Sequence, residues 1–181
     1  MTPPKIIETV CATQCDTQWC CSIRNFSAPP LRRREVDVIA AEGHRDFFRY
    51  QGRTPTLRAD DDGYCVFFDR SRRNCGIYPI RPGDCRLFPF DFFRDGDRRM
   101  RWLMWDCPLS RLFSETDIRE RLLDLERRHA GYIRETWAYG LEDYRNESSR
   151  GKRPRFRPLR PLRLFPRVFP VGCMSPCSCP A

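Results

Sequence analysis

The distribution of cysteine is the feature that most constrains how this chain folds. Eleven of its 181 residues are cysteine. Eight of them lie between Cys11 and Cys107, and three lie between Cys173 and Cys179. A chain of this length buries enough apolar surface to fold without covalent cross-links. The need to fold therefore does not explain why the chain has so many cysteines. The chemistry of the thiol group must explain it.

Three explanations compete for the first eight cysteines: disulfides, buried thiols, and thiolates on a metal. Disulfides form in oxidising compartments, and the N-terminus shows no secretory signal pattern, so we expect a cytoplasmic protein. Buried cysteines are common singly, yet several of these stand in polar surroundings such as RNCG, GDCR and WDCP. Metal ligation explains more of these details. The expected ligands are Cys11, Cys15, Cys20, Cys21, Cys65, Cys75, Cys85 and Cys107.

The number of thiols is compatible with two kinds of metal centre. Four thiolates suit either tetrahedral zinc or an iron-sulfur cluster, and the spacing does not choose between them. Cys11 and Cys15 are four residues apart and can share one face of a helix. The adjacent Cys20 and Cys21 are expected to diverge if their backbone is extended. A single cluster is expected to take one N-terminal cysteine together with Cys65, Cys75 and Cys85. Two zinc sites that share all eight cysteines are the alternative.

The segment CGIYPIRPGDCRLFPF, residues 75–90, resembles a preorganised carrier of ligands. Arg81 and Arg86 are placed to offset the negative charge of a thiolate centre and to lower thiol pKa values. Their alternative role is to be solvated or to pair with Asp84 and Asp91. Three prolines restrict the backbone of this loop, namely Pro79, Pro82 and Pro89. Four aromatic residues are expected to shield the centre from water: Phe67, Tyr78, Phe88 and Phe90.

The remaining pattern predicts an α+β fold that is mostly helical and irregular. One or two helices are expected over residues 32–51, a turn at 60–63, and short strands at 64–68 and 100–105. A longer helix is expected to begin after the N-cap Ser114, with Asp117 as its capping partner, and to end near Gly140. Its apolar face is expected to contain Ile118, Leu122, Leu125, His129, Tyr132, Ile133 and Trp137. Residues 1–145 are therefore expected to form one small domain ordered by metal.

Residues 146–181 differ in composition from this domain. They contain seven of the 16 prolines, and residues 151–181 carry seven basic residues and no acidic ones. The formal net charge is +9, so residues 1–150 carry only +2. We expect a flexible tail, and nucleic acid is a possible partner only through it. No apolar run is long enough to cross a membrane. The two histidines, His44 and His129, are expected to have structural roles.

The order of the cysteines and their neighbours resembles the YkgJ-type cysteine-cluster family, a CxxCxxCC domain described as chelating zinc or iron. The resemblance covers about residues 11–110. Its most specific part has the form C-x-I-Y-x-x-R-P-x-x-C-R-x-F-P. The matching residues are Cys11, Cys15, Cys20, Cys21, Cys65, Cys75, Ile77, Tyr78, Arg81, Pro82, Cys85, Arg86, Phe88 and Pro89, with Cys107 as a further member. The family usually has two residues before the adjacent cysteines, whereas this chain has the four residues DTQW.

The same resemblance leaves an enzymatic role open. Some relatives are flagellin lysine N-methylases, which implies an iron-sulfur enzyme of redox or methyl-transfer chemistry as an alternative, with Cys20 or Cys21 reactive. The chain has no glycine-rich nucleotide loop, no G-x-S-x-G and no acid and histidine arrangement that identifies a catalyst. We therefore assign no catalytic residue and no protein partner from the sequence.

Overall fold

The structure is a computed structural model that describes residues 4–15, 19–23, 28–94, 100–136 and 156–163. Its α-helices are α1 (Pro4–Gln14), α2 (Arg33–Ala41), α3 (Gly83–Leu87), α4 (Glu115–Arg128) and α5 (Ala130–Thr136). Its strands are β1 (Phe48–Gln51), β2 (Thr54–Leu57), β3 (Phe68–Asp69), β4 (Asn74–Cys75), β5 (Phe90–Arg94), β6 (Met100–Trp105) and β7 (Phe156–Pro161). Short 3-10 turns cover Trp19–Cys21, Tyr78–Ile80 and Ser110–Leu112. The α+β class is confirmed for the described residues, but the expectation of a mostly helical fold is not.

The strands pair into three small antiparallel sheets within the described residues. β1 pairs with β2, β3 pairs with β4, and β5, β6 and β7 form the largest sheet in that order. The pair β3 and β4 is a hairpin whose turn is held by the carboxylate of Asp69, which accepts hydrogen bonds from the backbone amides of Ser71 and Arg72. This hairpin places Cys75 directly opposite Phe68.

The main core lies between the largest sheet and the two C-terminal helices. Alternate residues of β6, Met100, Trp102 and Met104, pack in one cluster with residues of α4 and α5. Leu103 and Trp105, which alternate with these residues along the strand, pack in a separate cluster with Phe93. Because both sets are buried, β6 has a nearly continuous apolar sequence. The strand predicted over residues 100–105 is confirmed.

The beginning of α4 also agrees with the sequence. Ser114 is the N-cap, its hydroxyl oxygen accepts a hydrogen bond from the Asp117 amide, and the Asp117 carboxylate accepts one from the Ser114 amide. The predicted helix is, however, divided at His129, which caps α4 before α5 begins. The positions of Trp137 and of the predicted stop at Gly140 lie outside the described residues.

Two predicted elements upstream were wrong in part. The helix expected over residues 32–51 ends at Ala41, and residues 48–51 form β1 instead. Only Phe68 of the strand expected over residues 64–68 lies in a strand, at the start of β3, and residues 64–67 form isolated bridges and a turn. The carboxylate of Asp60 accepts a hydrogen bond from the Tyr64 amide and holds the preceding turn. The turn predicted at 60–63 is confirmed, with Gly63 at a φ of 82°.

The expectation of a flexible tail is wrong for residues 156–163. β7 pairs with β6, and its prolines are tolerated because β7 is an edge strand that bonds on one side only. Arg160 pairs with the buried carboxylate of Glu126 at 2.7 Å, and Arg157 pairs with Glu115 at 2.8 Å. These two arginines therefore bind the body of the protein. The other positions of the predicted tail lie outside the described residues.

Among the residues that the structure describes, no helix combines the length and the apolar character that a membrane span requires.

Candidate metal centre

Eight cysteines fall within the described residues, and all eight are thiols. They lie, in chain order, in α1 (Cys11), after its last residue (Cys15), in the first 3-10 turn (Cys20 and Cys21), between β2 and β3 (Cys65), in β4 (Cys75), in α3 (Cys85) and after β6 (Cys107). Segments from almost the whole length of the domain therefore contribute a sulfur.

Six of the eight cysteines line one cavity of about 100 Å³. These six are Cys11, Cys20, Cys21, Cys65, Cys75 and Cys85. Three of the four aromatic residues predicted to shield the site also line it, namely Phe67, Phe88 and Phe90. Trp105 lines it as well, which the sequence did not indicate. We call this space the large cavity.

A second, smaller cavity of about 10 Å³ shares two of these cysteines with the large cavity. Its four sulfur-bearing residues are Cys11, Cys15, Cys20 and Cys107. Val10, Phe88 and Leu109 complete most of its apolar wall. Cys11 and Cys20 line both spaces, so the two cavities are neighbours. We call this space the small cavity.

Hydrogen bonds between distant segments fix the N-terminal cysteines relative to the others. The amide of Cys65 donates to the carbonyl oxygen of Cys21 at 2.8 Å. The guanidinium of Arg73, in the β3 to β4 turn, donates to the carbonyl oxygen of Cys15 at 2.7 Å. Because these bonds use backbone carbonyls, they position the segments and leave the cysteine sulfurs for other contacts.

The sulfurs of Cys20 and Cys21 lie 3.9 Å apart. The two residues were expected to diverge on an extended backbone, and this expectation was wrong because residues 19–21 form a 3-10 turn. The side-chain hydrogen bond between the two sulfurs lowers the pKa of Cys20 and, together with burial, raises the pKa of Cys21. Cys20 is therefore the more easily ionised member of the pair.

Burial raises the pKa of most of the other thiols. The pKa is raised to about 12 for Cys11 and for Cys65, and to about 11 for Cys107. Burial also raises the pKa of Cys75 and of Cys85. In the chain without metal, these thiols remain protonated at neutral pH. Any metal that binds them must therefore displace protons.

Arg81 is the basic residue that acts on these thiols. It lines the large cavity, and its charge lowers the pKa of Cys11, Cys20, Cys75 and Cys85 against the effect of burial. Arg86 has a different role from the one expected, because its guanidinium donates to the backbone carbonyls of Arg81 and Pro79. One of the two predicted arginines thus supplies charge and the other fixes the loop.

The position of α3, which carries Cys85, depends on contacts that sequence reasoning missed. Glu35 accepts a hydrogen bond from the Gly83 amide at 2.9 Å, and the Tyr132 hydroxyl donates to Asp84 at 2.8 Å. A Cβ atom on Gly83 would lie 2.7 Å from the Tyr132 ring. Both partners are 48 residues away from α3 along the chain. No local pattern could have revealed them.

The thiols surround two spaces and do not meet at one point. Across the described ranges, no three side chains of His, Cys, Asp or Glu stand close enough together to hold a metal ion. The donor set nevertheless fits a soft metal, because thiolates prefer zinc or iron-sulfur centres. His44 packs edge-on against Phe67, and His129 caps α4. Neither histidine lines the large or the small cavity.

The comparison with protein families decides the identity of this domain. The family model CxxCxxCC, described as "Putative zinc- or iron-chelating domain", matches residues 10–108. The chain belongs to the CxxCxxCC family. The suspected resemblance is confirmed, and the expected cofactor, zinc or an iron-sulfur cluster, agrees with the metals named for this domain. No curated protein and no solved structure matches the chain.

The matched CxxCxxCC region includes every cysteine that lines the two cavities. It ends before α4, so α4, α5 and β7 lie outside the match. Cys15, which precedes the unusual four-residue spacing, lines the small cavity but not the large one. The departure from the family spacing therefore directly follows a cysteine that does not line the large cavity.

Proposed function

We propose that this CxxCxxCC protein chelates metal through its eight N-terminal cysteines and that the large cavity accommodates an iron-sulfur cluster. The proposed ligands of the protein as a whole are Cys11, Cys15, Cys20, Cys21, Cys65, Cys75, Cys85 and Cys107. The observation that carries the proposal is the lining of the large cavity, where six thiols and one guanidinium face a single space.

The size of the large cavity favours a cluster over a single ion. A space for one water molecule needs about 10–15 Å³ on the same measure, and the large cavity has about 100 Å³. Tetrahedral zinc would draw four sulfurs to about 3.8 Å from one another, given Zn to S distances of about 2.3 Å. A cluster of several iron and sulfide atoms holds its thiolates farther apart. The arrangement of thiols around a space suits the larger group.

The charge and polarity of the wall support the same occupant. Four thiolates on an oxidised four-iron cluster leave a net negative charge, and Arg81 provides a nearby positive one. The aromatic residues Phe67, Phe88 and Trp105 restrict access of water to the cavity. Solvent exposure and nearby charge are two of the factors that set the potential of a bound cluster.

In this proposal the residues of the chain hold the cluster and control its surroundings. An iron-sulfur cluster, when bound, supplies one-electron transfer. The cysteines hold it, Arg81 offsets its charge, and the aromatic wall keeps water away. Because the ligands must remain reduced thiols, we place the protein in the reducing cytoplasm. We assign no substrate and no catalytic residue.

The proposal is tested by analysing the full chain after purification without oxygen. We expect a brown protein with iron, acid-labile sulfide and visible absorption. Cys75→Ser combined with Cys85→Ser should abolish the absorption. The matched control, Cys173→Ser combined with Cys177→Ser, removes two thiols outside the family match and should leave it unchanged. Colourless protein that contains only zinc would show that the bound metal is zinc and not a cluster. Folded, metal-free protein with disulfides would contradict chelation altogether.

A further inference from the structure

A third cavity shares part of its wall with the large cavity. Phe67 and Ile77 line both spaces, but none of the described cysteines lines the third one. Its volume of about 380 Å³ falls within the range of about 300–1,000 Å³ that is typical of sites for small molecules. We call this space the side cavity. It has no part in the proposed chelation of metal, so its lining needs a separate explanation.

One part of the wall of the side cavity is apolar and packed. Phe47 and Ile77 are buried, and Val66 and Phe67 pack against them in one cluster. The ring centroids of Phe47 and Phe67 lie 5.7 Å apart, and His44 packs edge-on against Phe67. Removing apolar ligand surface from water against these side chains favours binding. This part of the wall therefore suits a ligand with an apolar body.

The rest of the wall carries an excess of positive charge. Arg45 and Arg58 line the side cavity and are exposed. Among the described residues, neither guanidinium has an ion pair or a hydrogen bond. The wall also contains two carboxylates, but Asp69 accepts a hydrogen bond from the Arg72 amide and lies 3.7 Å from the Arg72 guanidinium. Asp46 is thus the one carboxylate of this wall left to offset two arginines.

The backbone holds the side cavity in shape without a ligand. The Arg58 amide donates to the carbonyl oxygen of Phe47 at 2.9 Å, and the Val66 amide donates to that of Arg58 at 3.1 Å. Asp46 has a φ of 50°, in the left-handed region, and this turn lies between exposed Arg45 and buried Phe47. Because these segments are already ordered, a ligand costs less entropy to bind.

We propose that the side cavity is a binding site for a small organic monocarboxylate. Arg58 and Arg45 bind the carboxylate group, because guanidinium and carboxylate form strong charge-assisted hydrogen bonds. The apolar body of the ligand packs against Phe47 and Phe67. Asp46 repels a second negative charge, so the site favours a monocarboxylate over a phosphate dianion. This inference goes beyond the proposed function and requires no metal.

The test is isothermal titration calorimetry of the full chain with three probes of this class: phenylacetate, cyclohexanecarboxylate and hexanoate. We expect binding at one site per chain. The corresponding amides, which lack the charge, and acetate, which lacks the apolar body, should bind at least about tenfold more weakly. Arg58→Gln and Arg45→Gln should each weaken binding of the carboxylates at least about tenfold. The matched control Arg49→Gln removes an exposed charge of β1 outside the side cavity and should leave binding unchanged.

The comparison of probes on the unaltered chain keeps the inference testable if a variant fails to fold, which near-ultraviolet circular dichroism of Trp102 and Trp105 reports. The inference is overturned if none of the three carboxylates binds, or if the amides or acetate bind as tightly as they do. It is also overturned if inorganic phosphate binds more tightly, or if folded Arg58→Gln and Arg45→Gln bind the carboxylates no more weakly than Arg49→Gln.

Discussion

The guanidinium carbon of Arg81 lies 4.0 Å from the centroid of the Tyr78 ring. This stacking holds a flexible side chain beside the thiols of the large cavity, and Arg86 fixes the same loop from behind by donating to the Arg81 carbonyl oxygen at 2.6 Å. Tyr78, which was expected to shield the site from water, therefore contributes by holding Arg81 in place.

Replacing Arg81 should weaken metal retention. In Arg81→Gln the positive charge that lowers the pKa of Cys20 and Cys75 is lost, so protons compete better with the metal. Residues around a metal site typically change affinity by about 10–100-fold, and we expect a loss in that range in a competition with a chelator. The control is Arg33→Gln, whose side chain is 89% exposed on α2. Equal retention in both variants would contradict the role of Arg81.

Gly83→Ala should destabilise the domain. The added Cβ would lie 2.7 Å from the ring of Tyr132, which is fully buried and cannot move aside. Overpacking of this kind costs about 1–3 kcal/mol, measurable as a lower urea midpoint. Gly131→Ala is the matched control, because its nearest new neighbour is 4.0 Å away and alanine is favoured in a helix such as α5. An unchanged midpoint for Gly83→Ala would show that α3 can shift freely.

Glu126 should hold β7 on the body of the protein. This buried carboxylate accepts hydrogen bonds from the Trp102 indole at 3.0 Å, from Arg160 at 2.7 Å and 2.9 Å, and from the amide of Arg163 at 3.0 Å. Glu126→Gln leaves Arg160 without its charged partner, and we expect a loss of about 1–3 kcal/mol in the free energy of unfolding. Faster hydrogen exchange in residues 156–161 would locate the effect. Protection equal to that of the unaltered chain would contradict the assignment.

The same residue makes the domain sensitive to acid. Burial opposes ionisation of Glu126, but the hydrogen bonds from Arg160 and Trp102 outweigh it, so the folded-state pKa lies below the ordinary value of 4.5. The stabilisation is complete above that ordinary pKa and is lost as pH falls through the folded-state pKa. We expect the melting temperature of the unaltered chain to fall more steeply below pH 4.5 than that of Glu126→Gln. Parallel curves would exclude Glu126 as the cause.

Metal capture should release protons at neutral pH. The raised pKa values of about 12 for Cys11 and Cys65 and about 11 for Cys107 mean that these thiols carry protons in the metal-free chain. Calorimetry in buffers of different ionisation enthalpy should detect close to four protons released for each set of four thiolates that binds metal. A release near zero would mean that the thiols are already ionised.

The parts of the fold that the sequence predicted correctly depend on neighbours a few residues apart. The Ser114 and Asp117 capping box spans one helical turn, and the apolar run at residues 100–105 predicts the strand there. The cysteine motif likewise predicted that Cys75, Cys85 and Arg81 belong to one site, because the loop between them is short and restricted by Pro79 and Pro82.

The parts that could not be predicted depend on partners far along the chain. β7 forms because β6, more than 50 residues earlier, offers a free edge. The bond from Gly83 to Glu35 spans 48 residues, and nothing near Gly83 indicates it. The distribution of the thiols over two cavities also depends on distant partners, because Cys15 and Cys107 line the same cavity although they are far apart in the sequence. Periodicity and motif spacing carry no information about such pairings.

The most direct test of the account is the location of metal in crystals of the full chain grown without oxygen. Anomalous scattering measured at the iron edge should give a peak in the large cavity, among the six cysteines that line it. An absence of any anomalous peak between these sulfurs, or metal found only at Cys173, Cys177 and Cys179, would contradict the central claim that the N-terminal cysteines converge to chelate metal.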